Sequence, residues 1–240
     1  MPLERTEAVV MRGVDFSETS RIVTLLTPTR GRLACIAKGA RRAKSGLAAV
    51  LDTFNRVELA YYWKEGRAIQ TMSDATLLNG FGRLKTNLEK ATYAAFPLEV
   101  AYKVSRDNEP SHLLYSTLVK GLEALERFDG EIVLYAAWHV LHLLAAAGFG
   151  PSLDRCCRCG AVVGASAGFA YDGGVTCRRC RGDRRLSAHE YGVLRAVWQH
   201  NDQCPDAAEA PGVFDAVRCF ASRQLETDFR SLRVIKDVFG

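Results

Sequence analysis

Two cysteine pairs in the second half of the chain constrain its fold more than any other feature. Cys156 and Cys159 form one C-x-x-C pair, Cys177 and Cys180 form a second, and 17 residues separate the two. This spacing is typical of a zinc site in which two short turns each present two thiolates to one ion. We therefore expect Cys156, Cys159, Cys177 and Cys180 to hold one Zn2+ ion per chain.

Four thiolates leave no coordination position open for water, so the expected role of the ion is structural. Cys157 is a competing ligand, because Cys157 and Cys159 could form a C-x-C pair instead. We prefer Cys156, since the spacing is then the same in both halves of the site. Incidental cysteine pairs and a disulfide are the alternatives, although clustered cysteines in a reducing compartment favour metal binding.

The first third of the chain has the residue alternation of β-strands. Strand patterns cover residues 6–14, 21–26, 32–37, 54–63 and 68–73, with a turn signal at 27–31. A segment rich in Gly, Ala, Lys and Arg lies between the third and fourth strands. Five strands with an insertion after the third predict an OB-fold over residues 1–79, although the periodicity also allows another small β-barrel.

From about residue 80 onwards, apolar residues recur at helical spacing. The predicted helices cover about 84–98, 109–128, 131–147 and 188–200, and Pro211 begins a last long helix. The cysteine-rich residues at about 150–185 are expected to be irregular. The expected fold class is therefore α+β: a five-stranded OB-fold barrel over 1–79, followed over 80–240 by an all-α domain that carries the four-cysteine module.

A basic segment begins in the turn before the third strand. Within 15 residues it carries six positive charges and no acidic residue, at Arg30, Arg32, Lys38, Arg41, Arg42 and Lys44. Such charges neutralise phosphates and release counterions, which gives affinity for nucleic acid without reading its sequence. We expect these six residues to bind DNA. A solvated basic loop beside a barrel core is the alternative.

Three consecutive aromatic residues, Tyr61, Tyr62 and Trp63, lie in the fourth strand and could stack on unpaired bases. Because side chains alternate along a strand, Tyr61 and Trp63 share one face and Tyr62 lies on the other. At least one of the three must therefore belong to the core.

A second basic cluster surrounds the second cysteine pair. It consists of Arg178, Arg179, Arg181, Arg184 and Arg185. The sequence allows it either to extend a nucleic-acid surface or to face water.

The sequence carries no HExxH or GxGxxG motif, and residues 39–45 lack the glycine that precedes the lysine of a phosphate-binding loop. We therefore expect a binding protein rather than an enzyme. Residues of mixed charge follow Met1, and the apolar stretch 132–149 contains Trp138 and two histidines, which favours a buried helix. We expect a cytoplasmic protein associated with the nucleoid and not with a membrane.

Two blocks of the sequence resemble a known family. The first comprises residues 7–12, 17–24, 27–31 and 37–42, and the second comprises residues 144–153 and the two cysteine pairs with Gly160 and Gly173-Gly174. Their order and spacing are similar to those of the N- and C-terminal domains of the RecO family of bacterial recombination mediators. The resemblance covers most of the chain and weakens after about residue 200.

The resemblance implies a DNA repair and recombination protein that binds single- and double-stranded DNA and anneals complementary strands. It also implies that the protein works with RecR, contacts single-stranded DNA-binding protein and helps to load RecA. Lys38, Arg41 and Arg42 lie inside the matching blocks. Without the resemblance, two readings compete: a zinc-ribbon protein acting in transcription or on RNA, and an adaptor whose basic patches receive acidic protein tails.

Overall fold

The computed structural model describes residues 1–42, 45–164, 167–200, 204 and 211–240. These residues form two compact units. The barrel unit comprises Met1–Lys85 and Ala101–Glu126, and the helical unit comprises Thr86–Val100 and Arg127–Gly240. Strands dominate the first and helices the second, so the α+β fold class is confirmed. The domain boundary after residue 79 stays a prediction.

The described part of the barrel unit contains a closed barrel of five strands in the order β1-β2-β3-β5-β4. Neighbouring strands are antiparallel except β3 and β5, which are parallel. The predicted OB-like barrel is therefore confirmed. The strands are β1 (Leu3–Asp15), β2 (Arg21–Thr27), β3 (Gly31–Ala37), β4 (Arg56–Tyr62) and β5 (Ile69–Asn79).

The barrel closes because alternate residues of each strand face a common apolar core. Strand β3 shows this most regularly, since Leu33, Cys35 and Ala37 are buried and their neighbours are only partly buried. The short helix α1 (Leu47–Val50) packs its apolar residues against the same core. Burial raises the pKa of the Cys35 thiol to about 12, so this cysteine is a core residue and not a reactive thiol.

A partly exposed ion network joins the barrel to the helical segment of the same unit. Arg56 on β4 contacts Glu7 at 2.7 Å and Glu123 at 3.0 Å, and the Tyr115 hydroxyl donates to Glu7 at 3.1 Å. The hydrogen bonds from Arg56 hold the pKa of Glu7 below its usual range. This segment belongs to α4 (His112–Arg127), which follows α2 (Gly82–Thr86) and α3 (Leu88–Val104).

The helical unit packs around α5 (Ile132–Ala146), which is buried along most of its length. Helix α6 (Ala188–Gln199) begins with the predicted capping box. The Ser187 hydroxyl accepts from the Glu190 amide at 3.1 Å, and the Glu190 carboxylate accepts from the Ser187 amide at 2.8 Å.

Two expectations for the helical unit were wrong. The stretch expected to be irregular contains a small antiparallel sheet, ordered β7-β6-β8, and the last long helix is two helices. Glu226, with a positive φ of 46°, ends the first of these helices, and the Glu99 carboxylate accepts from the first amides of the second. The elements are β6 (Ala167–Ala170), β7 (Gly174–Thr176), β8 (Arg184–Leu186), α7 (Pro211–Gln224) and α8 (Arg230–Phe239).

Across the described residues, every helix is too short or too polar to pass through a lipid bilayer.

Truncating the barrel core should destabilise the protein. Leu25 is fully buried, so Leu25→Ala should lower the free energy of unfolding by about 2–5 kcal/mol. Leu77 on β5 is 45% exposed, so Leu77→Ala should change it by less than about 0.5 kcal/mol. Denaturant titration monitored by circular dichroism measures both. Equal losses for the two variants would contradict the described core.

Candidate metal centre and nucleic-acid interface

The four predicted cysteine ligands converge on one point. The Sγ atoms of Cys156, Cys159, Cys177 and Cys180 lie within 4.8 Å of one another, and those of Cys159 and Cys177 are 3.8 Å apart. Four sulfurs at about 2.3 Å from one ion in a tetrahedron are about 3.8 Å apart, so the cluster has the dimensions of a metal site. These four cysteines could therefore hold a metal ion.

Short backbone turns place the sulfurs. Gly160, with φ at +74°, donates its amide to the Cys156 carbonyl at 2.9 Å and so closes the first turn. The Cys180 amide donates to the Cys177 carbonyl at 3.1 Å and closes the second. Cys177 directly follows β7, and the Cys157 amide donates to Val175 of that strand at 2.9 Å. Strand β7 therefore supports both turns.

Cys157 lies outside the cluster. Its thiol donates to the Gly174 carbonyl at 3.7 Å, whereas Cys156 is buried with its sulfur among the other three. The geometry therefore favours Cys156 over Cys157 as the ligand. Gly174 is required here, because its φ is +118° and a Cβ atom would collide with the backbone of Ser152.

The electrostatics of the cluster fit a bound cation. The pKa of Cys156 is lowered to about 6, mainly because a hydrogen bond from the backbone amide of Cys177 stabilises its thiolate. The neighbouring Cys159 thiol is the main cause that raises the pKa of Cys180 to about 12. Four thiols in contact resist joint ionisation, and a cation among them reverses this and favours the thiolate form of all four.

The predicted basic segment meets the β1–β2 turn at one end of the barrel. Asp15, Arg21 and Ala37 are paired across β1, β2 and β3, so the turns that follow Asp15 and Ala37 leave the sheet together. The Arg41 amide donates to the Thr19 carbonyl at 3.1 Å. We call residues 16–20 and 38–42 the basic end of the barrel.

At this basic end, Lys38 and Arg42 are exposed, and the structure pairs neither with an acidic residue of the described chain. Arg41 contacts Asp15 at 3.3 Å, and its guanidinium donates to the Ser17 carbonyl at 2.8 Å. Arg41 therefore braces the turns, while Lys38 and Arg42 present free charge. Lys44 lies outside the described residues.

Arg30 forms its side-chain contacts away from the basic end. It contacts Glu4 at 2.7 Å and lies 4.0 Å above the Trp63 ring. Tyr61 is buried and its hydroxyl donates to Glu4 at 2.7 Å. Burial raises the pKa of Glu4, but the hydrogen bonds from Tyr61 and Arg30 outweigh it and lower the pKa. Of the three predicted aromatics, only Tyr62 is exposed.

The Arg32 side chain also forms contacts within the barrel unit. Its guanidinium contacts Asp107 at 2.6 Å, donates to the Tyr102 carbonyl at 3.1 Å and lies 5.0 Å from the Tyr102 ring centroid. The Arg32 amide donates to the Arg106 carbonyl at 2.9 Å. Arg32 therefore fixes the segment before α4 to the barrel.

The five arginines of the second basic cluster differ in their exposure. Arg184 is half-buried and contacts Glu190 at 3.3 Å and Asp215 at 3.4 Å, so it holds β8 to α6 and α7. The other four arginines, at 178, 179, 181 and 185, are exposed.

Phe16 is an exposed residue of the basic end that sequence reasoning missed. A single aromatic within a polar turn has no periodic pattern, and only its position beside the basic residues distinguishes it.

An OB-like barrel with a basic end, in one chain with a four-cysteine cluster, is typical of a nucleic-acid-binding protein. Comparison with known families is more specific. The family model described as Recombination protein O N terminal matches residues 1–81, and Recombination protein O C terminal matches residues 85–233. The chain therefore belongs to the recombination protein O (RecO) family, as the sequence resemblance predicts.

Curated proteins that are similar to this chain carry the same family name. The chain is 34% identical over 205 residues to the DNA repair protein RecO of Anaeromyxobacter dehalogenans strain 2CP-1, with 84% of this chain and 80% of the relative covered. It is 32% identical over 247 residues to that of a Nocardioides species, and 32% identical over 249 residues to that of Thermobifida fusca; both alignments cover 98% of this chain and 99% of the relative. These findings support a role in DNA repair and recombination.

Substituting single cysteines should separate ligands from neighbours. Cys156→Ser should abolish stoichiometric metal binding, because the fourth sulfur of the cluster is lost, whereas Cys157→Ser should retain it. Elemental analysis of the purified variants measures metal per chain. Retention by Cys156→Ser with loss by Cys157→Ser would show that Cys157 is the ligand.

Proposed function

We propose that this chain is a recombination mediator that holds DNA by its phosphates and anneals complementary strands. With RecR, it helps to load RecA onto DNA coated with single-stranded DNA-binding protein. The observation that carries the proposal is the pair of exposed cations, Lys38 and Arg42, on a braced turn of the OB-like barrel. Family membership supports the choice of partners, and the exposed cations of the barrel support DNA binding.

The basic end carries positive charge that is available to bind phosphates, because acidic side chains of the described chain do not neutralise it. Arg30, Arg32 and Arg41 each contact a carboxylate, so their charges are largely compensated within the protein. Lys38 and Arg42 are not compensated in this way, and counterion release favours their contact with a polyanion.

Annealing requires no catalytic group. Two complementary strands repel each other through their phosphates, and bound cations reduce this repulsion. A protein that holds the backbone leaves base edges free, so pairing follows from the sequences of the strands. The proposed activity is therefore binding without covalent chemistry. We also propose that the protein acts in the cytoplasm, on the nucleoid.

We propose that the metal is one structural Zn2+ ion held by Cys156, Cys159, Cys177 and Cys180. A set of four thiolates suits zinc and leaves it closed to substrate. These residues would stabilise the turns on either side of β7 and orient the exposed arginines near the second cysteine pair.

Removing the two free charges should weaken DNA binding in a salt-dependent way. For Lys38→Gln with Arg42→Gln, the slope of log affinity against log salt should fall by about 1.4 for single strands, at about 0.7 per lost phosphate contact. Affinity at about 0.1 M salt should fall roughly ten- to thirtyfold for every sequence. Fluorescence anisotropy over a salt series measures both quantities.

The matched control is Arg5→Gln, because Arg5 is an exposed arginine near the other end of β1. It should leave the slope unchanged. Because this control removes one charge and the test variant removes two, a control loss about half as large as that of the test variant would show that the overall charge of the protein, and not the basic end, determines binding. Tighter binding to RNA than to DNA of the same sequence would favour a zinc-ribbon protein acting on RNA.

The mediator function is tested by annealing. Two complementary oligonucleotides, each coated with single-stranded DNA-binding protein, should pair faster when this protein is added, because it holds both backbones. RecA filament formation on coated DNA should require RecR in addition. Normal DNA binding without acceleration of either process would leave a DNA-binding protein that is not a mediator.

A further inference from the structure

Phe16 is the most exposed aromatic side chain in the described part of the barrel unit, at 62% of its full exposure. It follows β1 directly, and Val14, two residues earlier, is 47% exposed. No ring contact joins Phe16 to another aromatic residue of the described chain. Single exposed apolar residues are common, so exposure by itself decides nothing. The position of Phe16 is what requires an explanation.

The backbone around Phe16 is fixed. The Phe16 amide donates to the Ser20 carbonyl at 3.1 Å, and the Ser20 amide donates to the Ser17 hydroxyl at 3.1 Å. Arg41 then binds this turn twice, through its amide to Thr19 and its guanidinium to Ser17. The ring is therefore presented from a braced turn at low cost in conformational entropy.

The same contacts place the turn that carries Phe16 and the segment that carries the free cations at one end of the barrel. Arg42 follows Arg41 directly, and Lys38 begins the segment that Arg41 attaches to the turn. An apolar ring and two uncompensated cations at one end of a barrel fit a ligand with both a flat apolar face and negative charge. An unpaired nucleotide has both.

Other aromatic residues of the barrel are not available in this way. Tyr61 is buried, and Trp63 is contacted by Arg30 at 4.0 Å over one face and by the Tyr61 ring in an edge-on arrangement. Tyr62 is 40% exposed but pairs with Leu3, at the opposite end of β1 from Phe16.

We propose that Phe16 is a stacking platform for one unpaired base of a DNA strand whose phosphates contact Lys38 and Arg42. This inference rests on the proposed function and adds selectivity to it. In a duplex the base faces are already stacked, so Phe16 would favour single strands, whereas the two cations would bind either form.

The test compares Phe16→Ala, Phe16→Trp and Tyr62→Ala in the full-length protein. Affinities are measured by anisotropy for a labelled single strand and for the duplex of the same sequence. Phe16→Ala should bind the single strand about tenfold more weakly, as expected for one lost base stack, with an unchanged salt slope. Its affinity for the duplex should not change. Phe16→Trp should restore single-strand binding, and Tyr62→Ala should match the wild type.

A 2-aminopurine base in the single strand provides a second readout, because stacking on Phe16 should quench its fluorescence and Phe16→Ala should relieve the quenching. Equal single-strand affinity of wild type and Phe16→Ala, with a normal salt slope, would overturn the platform and leave the proposed function intact. An equal loss for single strand and duplex would also overturn it. Failure of the wild type to bind any DNA would remove both proposals.

Discussion

The pairing of strands in the closed barrel is the constraint on which the proposed DNA surface depends. Strand β1 pairs with β4 over residues 3–9 and with β2 over residues 9–15, so one long strand joins both ends of the sheet. In an open sheet, these edges would carry unpaired amides and carbonyls. The register shifts between Val10 and Arg12, and such bulges bend a strand from one partner towards the next. The antiparallel register of β1, β2 and β3 sets Asp15, Arg21 and Ala37 in one row, so that the turns after Asp15 and Ala37 meet.

Features that depend on local spacing could be predicted from the sequence. The barrel strands repeat an apolar alternation, the C-x-x-C pairs lie on short turns, and the capping box at Ser187 spans one helical turn. The sheet of β6, β7 and β8 could not be predicted, since strands of three or four residues are too short to show a period. The break before α8 also lacks a local signal, because Glu226 takes the positive φ where glycine is usual.

The roles of the basic residues depend on partners that the sequence places far away. Arg30 meets Glu4 across 26 positions, and Arg32 meets Asp107 across 75. Counting charges along the segment therefore overestimates the free charge, and only folding shows that Lys38 and Arg42 differ from their neighbours. Phe16 is the converse case, because a residue without any pattern gains a role from the turn that Arg41 braces.

A mediator that anneals strands must hold DNA firmly and still release its bases. Phosphate contacts meet both needs, since they do not compete with pairing. A base stacked on an aromatic ring does compete, at about 1–3 kcal/mol, whereas each DNA base-pair step gains about 1.4 kcal/mol on average. One platform can therefore be displaced as a duplex extends by one or two pairs, but a row of them would trap the strand. The described part of the barrel unit agrees with this balance. Tyr61 is buried, Arg30 covers one face of Trp63, and Phe16 is exposed at the end that carries the free cations.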